Sequence, residues 1–204
     1  MFIPSGFDMP DHEAKLQFIE QWSFAVLTSP DLQATHLPLL LVRDEGQCGV
    51  LYGHMARANP QWQSAQGQRV VAVFSGPHSY ISPTWYAAGP AVPTWNYVAV
   101  HAYGVLECLE AAQTLDVVQR LTAHYEPALA ANTTLLAPDY VAKLNRAIVG
   151  FRIELDSLQG QAKLGQQRSA ADQAGVFAAL QQSAELDSQA LAAYMQAHQL
   201  GMGQ

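Results

Sequence analysis

The segment 95–109 limits what this chain can fold into more than any other. Val98, Val100, Ala102, Leu106 and Cys108 fall on one side of a two-residue period, and Trp95, Tyr97, His101 and Tyr103 fall on the other. A helix would mix the two sets, so the segment reads as one long strand. Neither face is ordinary solvent surface. The first belongs in a core; the second, aromatic and weakly polar, suits a subunit interface or a ligand.

Four segments ahead of it, 24–28, 35–42, 49–55 and 69–75, are rich in Val, Leu, Phe and Tyr and are broken by Pro, Asp, Gly or Gln clusters, which is strand behaviour. Pro38 interrupts the second of these; having no N–H to give a ladder, it belongs at an edge or a bulge. Further on, Val149, Phe151, Ile153 and Leu155 alternate with Gly150, Arg152, Glu154 and Asp156, giving a half-buried final strand. Helices are expected at 11–22, where Leu16, Phe18, Ile19 and Trp22 follow Pro10, around Leu115, Val118, Leu121 and Tyr125, and around Val141, Leu144 and Ile148. The stretch 159–168 reads as a loop. Ser169 and Asp172 then form a capping pair for a helix to about Gln182, and a last helix covers 187–198. With no interdomain linker and no repeat, residues 1–204 read as a single domain: mainly β, an antiparallel barrel with peripheral helices, the C-terminal ones at about 169–204.

Half of the residues are hydrophobic and 13% are charged, the balance of a packed globular protein. Seventeen acidic against ten basic residues give a net charge of −7, so the surface as a whole repels phosphate backbones and anionic lipid, and any anion site must be local. The start, MFIPSGFDMPDHE, has no basic run followed by an apolar one, and no stretch approaches the roughly 18 apolar residues that span a bilayer. A cytoplasmic location without membrane contact is therefore expected. Cys48 and Cys108 make neither a disulfide framework nor a CxxC pair and read as small buried hydrophobes. The Asn132-Thr133-Thr134 triplet fits the glycosylation pattern but is set aside for want of a secretion signal.

GxGxxG, P-loop, GxSxG and HExxH patterns are absent. His12, His36, His54, His78, His101, His124 and His198 never stand at the i, i+4 spacing of helical metal ligands, so hydrogen bonding explains them more simply than a metal does. The position of the few cations says more. The chain has three lysines, yet Lys163 and Arg168 sit together in KLGQQRS before a helix whose N-terminal amides can face an anion, and Arg57 ends the segment GHMARAN. This favours a phosphate site; a solvated loop pair and a surface arginine is the competing reading. Phe74, Tyr80, Trp85, Tyr86, Trp95, Tyr97 and Tyr103 are interleaved with Ser75, Ser82, Thr84, Thr94 and Asn96, the mixture of ring area and placed polar groups that a planar heteroaromatic ligand needs. An aromatic-rich core and interface is the alternative.

Five strings then carry a family resemblance. ATHLPLLL (34–41), LYGHMARANPQW (51–62), FSGPHSYISPTWY (74–86), VPTWNYVAVHAYG (92–104) and KLGQQRS (163–169) resemble, in order, motifs of the PaiB family of FMN-binding negative transcriptional regulators. The pattern departs from the family's at Gly165 and Gln167, and in a shortened hairpin ahead of ATHLP. The resemblance implies an antiparallel split β-barrel of FMN-binding type, similar to pyridoxamine-phosphate oxidases, in which a homodimer forms the flavin site between its subunits. It places His54, Ala56, Arg57 and Asn59 at the flavin phosphate or ribityl chain. Tyr80 and Ser82 go near the ring or its linker, Trp95 and Asn96 beside them, and Lys163, Gln166 and Arg168 close the site.

The leading expectation is thus an FMN-binding homodimer whose part in transcription is indirect. One rival is an FMN-dependent oxidoreductase acting on a small molecule, with His101, Tyr97 or His36 near the substrate. Another is an interaction module that kept the barrel and lost the cofactor. Direct DNA binding by the C-terminal helices is not expected, because 169–204 holds no lysine or arginine.

Overall fold

The structure is a computed structural model that describes residues 1–130 and 134–204. Asn132 and Thr133 of the glycosylation-type triplet lie outside the described residues. In chain order the elements are α1 (His12–Gln21), β1 (Phe24–Thr28), β2 (Ala34–Pro38), β3 (Leu40–Val42), β4 (Val50–Ala56), α2 (Gln61–Ala65), β5 (Arg69–Ile81), a 3-10 turn (Pro83–Trp85), β6 (Thr94–Cys108), α3 (Ala111–Tyr125), α4 (Pro127–Ala130), α5 (Pro138–Asn145), β7 (Ile148–Lys163), α6 (Ala170–Gln182) and α7 (Leu186–His198). The strands form one seven-stranded sheet in the order β2-β1-β5-β6-β7-β4-β3. β1 pairs antiparallel with β2 and β5, and β4 with β3 and β7. Contacts divide the chain into two compact units: Met1–Lys15, Ser75–Val100 and Gln159–Gln204 make the first; Leu16–Phe74 and His101–Leu158 make the second.

The second unit is built on alternation. Ala25 and Leu27 of β1, Leu51 and Met55 of β4, and Val149, Phe151, Ile153 and Leu155 of β7 are buried, as their two-residue period requires. The segment read as one strand over 35–42 is two, broken at Leu39 just after Pro38. Proline cannot continue the ladder, and the Leu39 N–H bonds the carbonyl of Ser23 instead (2.9 Å). β2 and β3 are the two edges of the sheet, as the proline demands. The shortened hairpin ahead of ATHLP is a tight turn. Ser29 N–H donates to the Gln33 carbonyl (3.0 Å), Leu32 takes a φ of 66°, and hydrogen bonds from Ser29, Ser64 and Gln33 hold the Asp31 carboxyl down at about 2.

Beneath this hairpin lies Gln61, fully buried. Its Nε2 donates to the carbonyls of Leu27 (3.0 Å) and Gln33 (2.9 Å), and its Oε1 accepts from the Thr35 hydroxyl. A buried carboxamide costs stability unless its donors and acceptor are used, and here they are. α3 opens on a reciprocal capping box between Glu110 and Gln113. Its Thr114 hydroxyl accepts the Gly150 N–H (3.2 Å), and a Cβ on Gly150 would stand 2.6 Å from that oxygen. The cysteines expected to be buried are half-buried and free.

In the first unit β7 continues to Lys163 through 159–163, the stretch read as loop. Its polar, glycine-bearing sequence hides a ladder made by the main chain: Met9 N–H donates to the Gly160 carbonyl (3.0 Å), Ala162 N–H to the Phe7 carbonyl (2.9 Å), and Asp8 bridges Gln161. β5 likewise runs past Ser75 to Ile81. α6 and α7 bury Val176, Leu180, Leu191, Tyr194 and Met195. Ser169 caps α6 by accepting the Asp172 N–H (3.2 Å), but the return half of the capping pair is missing. The Asp172 carboxylate takes the N–H groups of Ala87 (2.9 Å) and Ala88 (3.3 Å) instead.

In the second unit a Cβ on Gly104 would lie 2.2 Å from the Glu154 carbonyl oxygen. Gly104→Ala is therefore expected to lower stability by about 1–3 kcal/mol, and Val105→Ala, on the exposed face beside it, by less than about 0.5 kcal/mol. Urea unfolding of the two variants checks this.

Candidate functional site

β4 turns Leu51, Gly53 and Met55 inward and Tyr52, His54 and Ala56 outward. His54 is half-buried. Its Nδ1 is sealed from solvent without a hydrogen-bond partner among the described residues, and burial pushes its pKa below the usual histidine value. Ala56 ends the strand, exposed. Arg57 follows it: Nε and Nη2 donate to the carbonyls of Arg146 (2.9 Å) and Ile148 (2.8 Å), which fixes the guanidinium while leaving donors spare. Asn59 is more committed. Its Oδ1 accepts the Gln61 N–H (3.0 Å) and its Nδ2 donates to the Thr35 hydroxyl (2.8 Å), so it fastens the turn into α2. These four residues form one group, in the second unit.

The other predicted residues gather in the first unit. Tyr80 and Trp95 expose 44% and 53% of their surface, too much for core residues, and meet edge to face at 6.2 Å between ring centroids. His78, which sequence reasoning passed over, also lies near Trp95, at 6.2 Å between ring centroids. Its signal was present in FSGPHSY, where the two-residue period puts 78 and 80 on one face. Ser82 caps the 3-10 turn, its Oγ accepting the Thr84 N–H (3.2 Å). Asn96 is buried. The Lys163 ammonium donates to Thr94 Oγ1 (2.6 Å) and the Trp95 carbonyl (2.7 Å), and burial lowers its pKa. Gln166 closes its own turn, accepting from Leu164 N–H (2.8 Å) and donating to the Ala162 carbonyl (2.5 Å). The Arg168 guanidinium rests over the Tyr86 ring at 4.4 Å.

Of the ten lysines and arginines, four hold carboxylates among the described residues and six, Lys15, Arg57, Lys143, Arg146, Lys163 and Arg168, do not. Arg43, Arg69, Arg120 and Arg152 hold carboxylates of Glu20, Asp156, Asp116 and Glu107. Arg57, Lys163 and Arg168, the three that the resemblance assigned to a cofactor, are paired with no carboxylate among the described residues. In a chain of charge −7, cations left for an external anion are an arrangement that fits a phosphate-bearing cofactor. Of the residues considered for a substrate, Tyr97 donates to buried Gln161 (2.9 Å), His101 lies beside Tyr103, and His36 stacks on Phe24. No group of metal-ligating side chains occurs among the described residues, and no helix among them is long and apolar enough to cross a membrane.

Residues 1–157 match a sequence family described as "Putative FMN-binding domain". The chain is 32% identical over 205 residues to the protease synthase and sporulation protein PAI 2 of Bacillus subtilis, covering 96% of this chain and 97% of that protein. It is 30% identical over 217 residues to an uncharacterized protein of Aspergillus fumigatus, covering 79% and 83%. Among solved structures, the FAD and heme binding protein from Mycobacterium smegmatis has a TM-score of 0.56 at 13% identity, over 76% of this chain and 73% of that one. A flavocytochrome from Azotobacter vinelandii has a TM-score of 0.55 at 12% identity, over 76% and 69%. The architecture is the antiparallel split β-barrel with peripheral helices that the resemblance implied.

His54 and His101 both titrate below the ordinary histidine value because burial disfavours their charged forms. The unfolded chain then binds more protons, so their contribution to stability is present above about pH 6.5 and is lost as pH falls below it. The urea midpoint should drop between about pH 7.5 and about pH 5.5, and His54→Gln should reduce that drop.

Proposed function

The chain belongs to the FMN-binding domain family, with FMN as its cofactor, and from that premise we propose that it acts as a homodimer holding flavin at the subunit interface, in a PaiB-like regulatory role that does not run through direct DNA contact. The observation that carries this reading is that Arg57, Lys163 and Arg168, which lie in the family's strings, have no carboxylate partner among the described residues. Arg57 meets the flavin phosphate, whose charge of about −1.5 to −2 suits charge-assisted hydrogen bonds. Lys163 and Arg168 are further cations toward the cofactor. Trp95 offers an exposed ring to its flat system, with Tyr80 against it near the ring or its linker, and Asn59 and Gln166 hold the turns from which neighbouring groups act. When bound, the flavin supplies hydride and electron transfer; the protein supplies orientation and access.

A second surface supports the dimer. On the outer face of the β2-β1-β5 ladder, Val26 stands opposite both His36 and Val73, and the exposed Phe24 ring stacks on His36 at 6.3 Å. An apolar face of this kind is suited to a like face on a twin. Against direct DNA contact stand α6 and α7: their segment has no lysine or arginine, and Asp172, Glu185 and Asp187 lie in it. The oxidoreductase reading keeps one observation in its favour, an open cleft of about 340 Å³ next to Tyr80 and Trp95.

Arg57→Ala should weaken FMN at least about tenfold and leave riboflavin, which lacks the phosphate, within about twofold. Equal losses by flavin fluorescence would remove Arg57 from the phosphate. Static light scattering at micromolar concentration should give twice the chain mass; a monomer that still takes up FMN would end the interface assignment.

A further inference from the structure

In the first unit, Trp95 and His78 border two clefts of different character. One, of about 350 Å³, is completed by Ser75, Gly76, Tyr97 and Val98 and carries no carboxylate or ammonium. The other, of about 340 Å³, is walled by His78, Tyr80, Trp85 and Trp95 and rimmed by Glu185 and Asp187. Neither of these carboxylates has an ion-pair partner among the described residues, and 169–204 holds no lysine or arginine to supply one. Glu185 sits at the N-cap of α7, yet its carboxylate makes no capping bond; its main-chain N–H is taken by Ser183 Oγ (3.2 Å).

The cleft is also held in place. Ser79 and Ser188 are both buried and share a hydrogen bond of 2.8 Å, which ties the first turn of α7, with Asp187, to the strand that presents Tyr80. Exposed aromatic rings facing unpaired carboxylates are the complement of an organic cation: ring faces attract it through their quadrupole, and the carboxylates supply the charge. The same carboxylates repel a flavin phosphate, which leaves the uncharged neighbouring cleft for a flat neutral ring system.

We propose that the cleft between Tyr80, Trp95 and the start of α7 binds an alkylammonium ion. This deepens the flavin reading by naming the class of small molecule that reaches the same rings, and it rests on that reading only for the neighbouring cofactor. The test is titration of the full chain with choline and with 3,3-dimethyl-1-butanol, its neutral counterpart of like shape, at low salt. Saturation-transfer NMR on the ligand methyl groups reports binding, and flavin absorbance is followed separately.

Choline should bind at least about tenfold more tightly than the alcohol, weaken as salt rises, and lose about tenfold in the Glu185→Gln/Asp187→Asn variant, with FMN uptake and chain mass in solution unchanged. Equal binding of choline and the alcohol, no binding of either, or an unchanged variant would overturn the proposal. So would a variant whose mass in solution falls, since the carboxylates would then be serving a second copy of the chain. Failure of FMN uptake by the unaltered protein is a different result. It removes the flavin reading while the choline titration remains readable.

Discussion

Everything in this fold hangs on three strands, β5, β6 and β7, lying side by side in the sheet and running thirteen, fifteen and sixteen residues. On β6 the two-residue alternation runs unbroken, and a slip of one residue there would exchange every inward side chain for an outward one, whereas β5 changes phase at the buried pair Gly76 and Pro77. Val98, Val100, Ala102 and Leu106 are buried on β6, and so the exposure of Trp95 and the half-exposure of Tyr97, His101 and Tyr103 are consequences, not options. The aromatic surface offered to ligands is thus paid for by the core on the reverse of the same strand.

The polar interior is arranged with the same economy. Gln61 bonds the hairpin carbonyls of Leu27 and Gln33, the second of which also takes the Ser29 N–H, and Asn59 and Thr35 complete its network. One effect is that Asn59, which lies in a string marking the family, fastens the turn that follows Arg57. Gln166 does the same for the turn between Lys163 and Arg168. In both groups the polar residue builds the turn and the cation next to it is left with donors to spare, a division suited to holding an anion without spending the loop's own hydrogen bonds.

Charge organises the remainder. Four arginines are held by carboxylates of the second unit, Arg57, Lys163 and Arg168 have none among the described residues, and the C-terminal helices hold no lysine or arginine. That separation is the basis of the proposed anion and cation sites, and it argues against a duplex settling on α6 and α7.

The sequence by itself determined the strand and helix periods, the edge position of Pro38, the Ser169 cap and the aromatic face around Trp95, since each follows from local stereochemistry and a repeating pattern. Its strings also carried the family and the cofactor. What it could not carry is anything set by contacts between distant segments. The continuation of β7 through Gln159, Gly160 and Gln161 is held by main-chain bonds to residues near the N-terminus, and main-chain bonds leave no mark on side-chain pattern. The diversion of Asp172 from its own helix cap to the N–H groups of Ala87 and Ala88, the burial of His54 Nδ1 without a partner among the described residues and the cleft that brings Glu185 and Asp187 to Tyr80 are of the same kind. Only the tertiary structure decided them, because hydrogen bonding and burial depend on which groups the folded chain brings within a few ångströms, and spacing along a sequence does not encode that distance.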